Sequence, residues 1–417
     1  MSPGLNLRSQ FQKLIFAVVC FAIGGPYLAS IYRDYRAANL INDPTQLATA
    51  VNLAPASAEY RSRLGRQLFF VQHDASAAVG QYRRATELNP RAPTVWLDLA
   101  LVHQALGERS QQSHALQRAL AAGPRTPSVA WEAGQQYLAS GETEAGLRVL
   151  QVVIGHDPTA RPAAIDLAWR ATHDPELMLR HAVPQTVDGR LAFLNYMIEQ
   201  EQPVGAALAW KELVNLKERF SPGLALGYVE FLLTSKSRNA ESAVEVWRVL
   251  QNLDSEFPAL PGMNSIVNGG FEQPGINAGL DWRSTAVTGV NAAIHVRDAH
   301  SGSRSLALVL DGAPLDDVGV FQYLALRPST RYQFSAYIRN ERLAGAGGLR
   351  FTIKDAQSSA TYFTSAQLPE RDEWQLLRGS FRTPKDAGVA VLRLVHSPAG
   401  QPFRGKFWID DLELIEE

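Results

Sequence analysis

The residues most able to do chemistry in this chain are its paired carboxylates and its scattered histidines, and neither set forms a catalytic arrangement. Asp316-Asp317 and Asp410-Asp411 are adjacent in sequence. Neighbours along a strand point to opposite faces, so neither pair presents two carboxylates to one substrate as a glycosidase dyad would. Asp316-Asp317 sits in a segment that reads as a solvated turn. The 9 histidines show no ligand spacing. His295 and His300 are five apart, and His173 and His181 straddle a break at Asp174-Pro175. No His-Glu-x-x-His, Gly-x-Ser-x-Gly, phosphate loop or dinucleotide fingerprint occurs. The reading is a non-enzyme, so function falls to elements that could carry binding.

Proline and glycine recur at a step of 34 residues: Pro90, Pro124 and Pro158, and Gly107 and Gly141. Leu99/Ala133, Ala100/Gly134, His103/Tyr137 and Leu116/Leu150 keep the same register. Trp96, Leu99, Ala100 and His103 fall on one helical face. The glycines suit a turn with a left-handed residue, and the prolines stop the second helix. A helix–turn–helix unit of this length cannot bury its apolar face alone, so units must stack. The pattern resembles the tetratricopeptide repeat, with two good copies. A third, through Leu64-Gly65, Ala77, Ala85 and Pro90, is slipped by one residue, and Gln46–Pro55 is the second helix of a truncated unit. The resemblance implies a scaffold whose inner helices dock a protein partner. Beyond Pro158 the period fades while stripes such as Ala206, Ala207, Trp210, Leu213 and Ala243, Trp247, Leu250 continue. Degenerate repeats are expected over 160–255. Trp96, Tyr137 and Trp210 are expected to hold the array together, and His103 to be a core histidine.

Leu14 to Tyr32 is free of charge for 19 residues. That is about the length that crosses a bilayer. Arg8 and Lys13 precede it, which favours a cytoplasmic N-terminus. An uncleaved inner-membrane anchor with the bulk of the chain in a bacterial periplasm is preferred over a signal peptide cleaved near Ala29-Ser30, which would leave a secreted protein. Cys20, the 1 cysteine, lies in this segment. The exported part therefore has no internal disulfide and no thiolate metal site. A net charge of −1 gives no reason to expect a nucleic-acid partner.

The composition changes at the linker Phe257-Pro258-Ala259-Leu260-Pro261-Gly262. After it come alternating apolar segments such as 305–310, 332–338, 349–353 and 389–395, separated by turn residues. Eight to ten strands in this length predict a two-sheet sandwich or jelly roll. The expected division is an anchor over 1–36, a helical repeat domain over 37–257, a linker over 258–263 and a sandwich over 264–417. The fold class is thus multidomain α and β.

The sandwich opens with Asn268-Gly269-Gly270-Phe271-Glu272 and Leu280-Asp281-Trp282. It continues through His300-Ser301-Gly302, Leu326-Arg327-Pro328-Ser329-Thr330 and Gly379-Ser380-Phe381. It closes on Trp408-Ile409-Asp410-Asp411-Leu412-Glu413-Leu414. This series is similar to the carbohydrate-binding jelly-roll modules of bacterial glycanases, within the galactose-binding-like group. The resemblance implies that Glu272 with Asp410 or Asp411 holds a structural calcium. Strand alternation puts Asp410 on a face with Trp408, Leu412 and Leu414, where a carboxylate must be paired or metal-bound. Either a cation or backbone N–H donors would satisfy it. Sugar binding would need exposed aromatics, and Trp282 with the Tyr362-Phe363 pair are the best candidates. Trp374, Trp408 and Tyr323 read as core. The architecture resembles accessory proteins of bacterial exopolysaccharide or surface-polysaccharide assembly. The rival readings are a protein–protein adaptor with a non-binding sandwich and, last, a polysaccharide-modifying hydrolase.

Overall fold

In the computed structural model, which describes residues 10–417, the 34-residue step is a helical hairpin. Helices α3 (Ala58–Phe70), α4 (Ala75–Leu88), α5 (Pro93–Ala105), α6 (Arg109–Ala122), α7 (Pro127–Ala139) and α8 (Thr143–His156) pack in consecutive pairs. Pro93 and Pro127 occupy the first turn of α5 and α7, where no intrahelical N–H is lost. Gly107 and Gly141 turn each hairpin at φ +74° and +80°. α3 begins 35 residues before α5, which is the one-residue slip expected of the first copy. Gly134 and Gly146 let α7 and α8 approach closely. A Cβ on either would lie 2.8 Å from a leucine side chain of the facing helix.

Ahead of these hairpins come α1 (Gln10–Leu40) and α2 (Leu47–Leu53). Within α1, Lys13–Leu40 is long and apolar enough to cross a membrane, and its apolar window is wholly unburied. Arg8 of the charge argument lies outside the described residues. After the hairpins come α9 (Arg161–Thr172), α10 (Pro175–His181), α11 (Val187–Glu199), α12 (Pro203–Asn215), α13 (Leu226–Thr234) and α14 (Ala240–Leu253). Ala243, Trp247 and Leu250 are buried as expected. On α12 the buried stripe is Ala206, Ala209 and Leu213, and Ala207 faces out. Trp96 is half-buried, its Nε1 donating to Pro90 O at 3.0 Å, and His103 is a core residue paired with Glu108.

The described residues form two compact units, one ending at Pro184 and the other Gln185–Glu417. The helices α11–α14 therefore fall in the same unit as the strands, although secondary structure changes only at the 258–263 linker.

Ten antiparallel strands make two five-stranded sheets. One is β2 (Val290–His295), β3 (Ser305–Leu315), β10 (Gln401–Glu416), β5 (Arg331–Gly345) and β8 (Gln375–Arg382), in that order. The other is β1 (Arg283–Ser284), β4 (Asp317–Ala325), β9 (Val389–Ser397), β6 (Gly348–Asp355) and β7 (Thr361–Thr364). The inner faces meet in one apolar core that includes Leu308, Leu324, Phe334, Ile353, Leu392 and Phe407.

The closing strand departs from simple alternation. Pairing of β10 with β5 runs Asp410↔Tyr337 and then Glu413↔Ser335, so β10 carries one extra residue there. Asp411 absorbs it at φ +47°. Phe407 and Ile409 before the bulge, and Leu412 and Leu414 after it, all reach the core. Asp410 shares the outer face with Trp408 but not with Leu412 or Leu414. This corrects the expectation from strict period two.

Candidate functional site

The three acidic residues assigned to a metal all surround one loop, 300–304. Asp410 is fully buried. Its Oδ2 accepts from His300 N at 2.8 Å and Ser301 N at 3.2 Å, and its Oδ1 from Asp411 N at 2.8 Å. Burial pushes its carboxyl above the ordinary range, and these N–H bonds only partly offset that. Glu272 accepts from Ser303 N at 2.7 Å, Ser303 Oγ at 2.8 Å and Arg304 N at 2.9 Å. Partial burial works upward on Glu272, but these bonds win and hold it below the ordinary value. Asp411 accepts from Ser301 Oγ at 2.8 Å and lies 2.6 Å from His300 Nδ1. Each of the three carboxylates is thus held by protein donors. Among the described residues no group of three or more acidic, histidine or cysteine side chains could hold a metal ion. The arrangement described is an acidic cluster wrapped around the 300–304 turn. It is a clasp of carboxylates onto a backbone loop.

Glycine makes the clasp sterically allowed. Gly302 sits at φ +60°, and a Cβ there would lie 2.3 Å from Glu272 Oε1. A Cβ on Gly269 would meet Leu412 O at 2.1 Å. The opening and closing motifs are thus in direct backbone contact, Leu412 N donating to Gly269 O.

The sugar candidates separate. Phe363 points into the core between Phe334 and Phe381, with ring centroids at 5.4 and 5.3 Å, and offers no face to solvent. It sits on the inner side of β7, so the expected platform with Tyr362 does not form. Tyr362 is on the opposite side, half-buried, its hydroxyl donating to Asp355 at 2.6 Å. Burial and the neighbouring carboxylate raise this phenol's pKa.

Trp282 is half-buried. Its ring lies 5.3 Å from Phe271 and its Nε1 donates to Asn268 O at 3.1 Å. It lines a crevice of about 290 Å³ with Phe271, Leu306 and Val320. Asn268, Gln273, Asn277, Arg283 and Ser284 supply polar groups, and Ala292–Ile294 of β2 complete the wall. An apolar cavity with a few polar groups is the usual form of a small-ligand site.

Three aromatics expected in the core lie elsewhere. Tyr323 and Phe321 share the outer face of β4, with Arg283 and Arg393 over their rings at 4.5 and 4.2 Å. Trp408 is buried outside the core beneath Arg339, 4.6 Å from its ring centre. Trp374 is half-buried and edge-on to His300. Period two assigns residues to two faces but not which face is inside. All aromatic side chains of the sandwich are buried or half-buried.

Residues 263–400 match the family described as "Carbohydrate binding domain". The C-terminal domain is a carbohydrate-binding module, a kind of domain that is non-catalytic. Among solved structures, one described as "CBM4 structure and function" is 16% identical over 37% of this chain and 100% of that one, with TM-score 0.30. The CBM22-1 xylan-binding domain of Paenibacillus barcinonensis Xyn10C is 18% identical over 32% and 85%, with TM-score 0.24. TmCBM61 in complex with β-1,4-galactotriose is 19% identical over 37% and 100%, with TM-score 0.26. No curated protein matches the chain.

Proposed function

We propose that this chain is a membrane-anchored, exported scaffold whose C-terminal module binds a glycan in the crevice beside Trp282. Its tetratricopeptide-like hairpins dock a protein partner, and the setting is assembly or export of an exopolysaccharide or surface polysaccharide. The crevice carries the reading. It is roomy enough for a sugar ring, walled by an indole and rimmed by amide side chains. The apolar helix Lys13–Leu40 supports the anchor, with a signal segment as the other reading.

The experiment is a glycan array and titration of the detergent-solubilised full chain. Saturable binding that Trp282→Ala abolishes and Trp282→Phe retains in part is the expected result, because phenylalanine keeps a stacking face. Absence of binding to any glycan overturns the reading. A protein–protein adaptor with a non-binding sandwich is the second reading. It is favoured by the guanidinium groups that already cover Phe321 and Tyr323, where a sugar ring would otherwise stack.

A further inference from the structure

Much of the crevice rim is one segment, 273–284, and it is gripped from the helices. Within the segment Asn277 Oδ1 accepts from Ser284 N at 2.9 Å, and Asp281 Oδ2 from Ile276 N at 2.8 Å. The segment is therefore one folded turn. Glu230 of α13 reaches this turn. Its Oε1 accepts from Gly279 N at 2.6 Å, and its two oxygens from Arg283 Nη2 at 2.7 and 2.9 Å. The same Nη2 donates to Gly279 O at 2.8 Å. Arg283 lines the crevice while its guanidinium lies over Tyr323.

A second grip comes from α14. Trp247 packs against Gly279, whose φ is +60° and whose absent Cβ would lie 2.3 Å from the indole. Trp247 is itself fixed, its Nε1 donating to Pro258 O at 2.9 Å. From the linker, Ala259 N donates to Gln273 Oε1 at 3.3 Å. Four of the residues at the crevice, Gln273, Asn277, Arg283 and Ser284, thus stand on a turn that α13, α14 and the linker hold.

We infer that Glu230 is a positioning residue of the glycan crevice, so that the last two helices belong to the recognition module. This rests on the crevice reading for its ligand but not for its geometry. Half-buried, charge-assisted pairing of this kind orients as well as attracts. Anything that displaces α13 would loosen Arg283 and the turn together, and glycan affinity would follow by linkage.

The test uses the full chain in detergent, with Glu230→Gln, Arg283→Lys and the double variant. Hydrogen exchange over 273–284 is read first. It is expected to quicken in each variant, with no further change in the double, while exchange in the 58–156 hairpins stays as in the wild type. Affinity for a glycan that the wild type binds is expected to fall about tenfold, within the usual range of coupling between sites. Unchanged exchange at 273–284 in Glu230→Gln overturns the proposal. So does quickened exchange with unaltered affinity, which would make the contact merely structural. If the wild type binds no glycan, that failure belongs to the crevice reading, and the exchange result alone decides whether Glu230 positions the turn.

Discussion

Replacing Asp410 by asparagine measures what the clasp between β10 and the 300–304 loop is worth. The side chain is fully buried and accepts three backbone N–H bonds, from His300, Ser301 and Asp411. The amide has the same shape but one acceptor oxygen fewer. Turned to serve His300 and Ser301, it sets its own NH₂ against Asp411 N and orphans that donor. An orphaned buried N–H costs about 1–3 kcal/mol. The two remaining bonds lose their charge assistance, about 0.5–1 kcal/mol each. Relief from burying a charge, the cause of the raised Asp410 carboxyl, returns part of this. The net is a loss of about 2–3 kcal/mol. For a unit of this size that is a fall in Tm of about 4–12 °C, at about 2–4 °C per kcal/mol. Thermal and urea unfolding of wild type and Asp410→Asn, each with and without EDTA, is the assay. The clasp predicts that EDTA leaves both proteins unchanged. A loss below about 1 kcal/mol would refute the hydrogen-bond accounting. A wild-type Tm that falls in EDTA while the variant's does not would show that the carboxylates hold a cation instead.

Two further substitutions probe other parts of the same unit. Gly279→Ala places a methyl group 2.3 Å from the edge of the Trp247 ring at a positive φ. Left-handed strain of about 1–2 kcal/mol and overpacking of about 1–3 kcal/mol give a loss of about 2–5 kcal/mol, read by urea unfolding, and a loss under about 1 kcal/mol would mean that Trp247 is not seated there. Asp355 is held at about 2, below its ordinary 3.8. Partial burial works against this, and bonds from Ser358, Tyr362 and Gln357 outweigh it. A depressed carboxyl contributes stability that is complete above 3.8 and is lost as pH falls through about 2. With allowance for solvent screening, Asp355→Asn is expected to cost about 1 kcal/mol at neutral pH and to lose most of that cost by about pH 2, so a cost that does not change with pH would contradict the assignment.

The sequence alone determined the local features, because each is written in neighbouring residues. The 34-residue step places Pro90, Pro124 and Pro158 just past the ends of α4, α6 and α8, and Gly107 and Gly141 at turns, since proline and glycine act on their own backbone. Alternation likewise marked the strands at 305–310, 332–338, 349–353 and 389–395. What alternation could not decide was which face is inside, since that depends on the opposing sheet. Phe363 went in, and Tyr323, Phe321 and Trp408 went out. One inserted residue at Asp411 reversed the parity of β10, and no local signal announces a bulge that its partner strand imposes. The crevice at Trp282 and the pairing of Glu230 with Arg283, 53 residues apart, belong to tertiary structure alone. They exist because a helix and a loop distant in sequence are brought together by packing around Trp247 and Gly279.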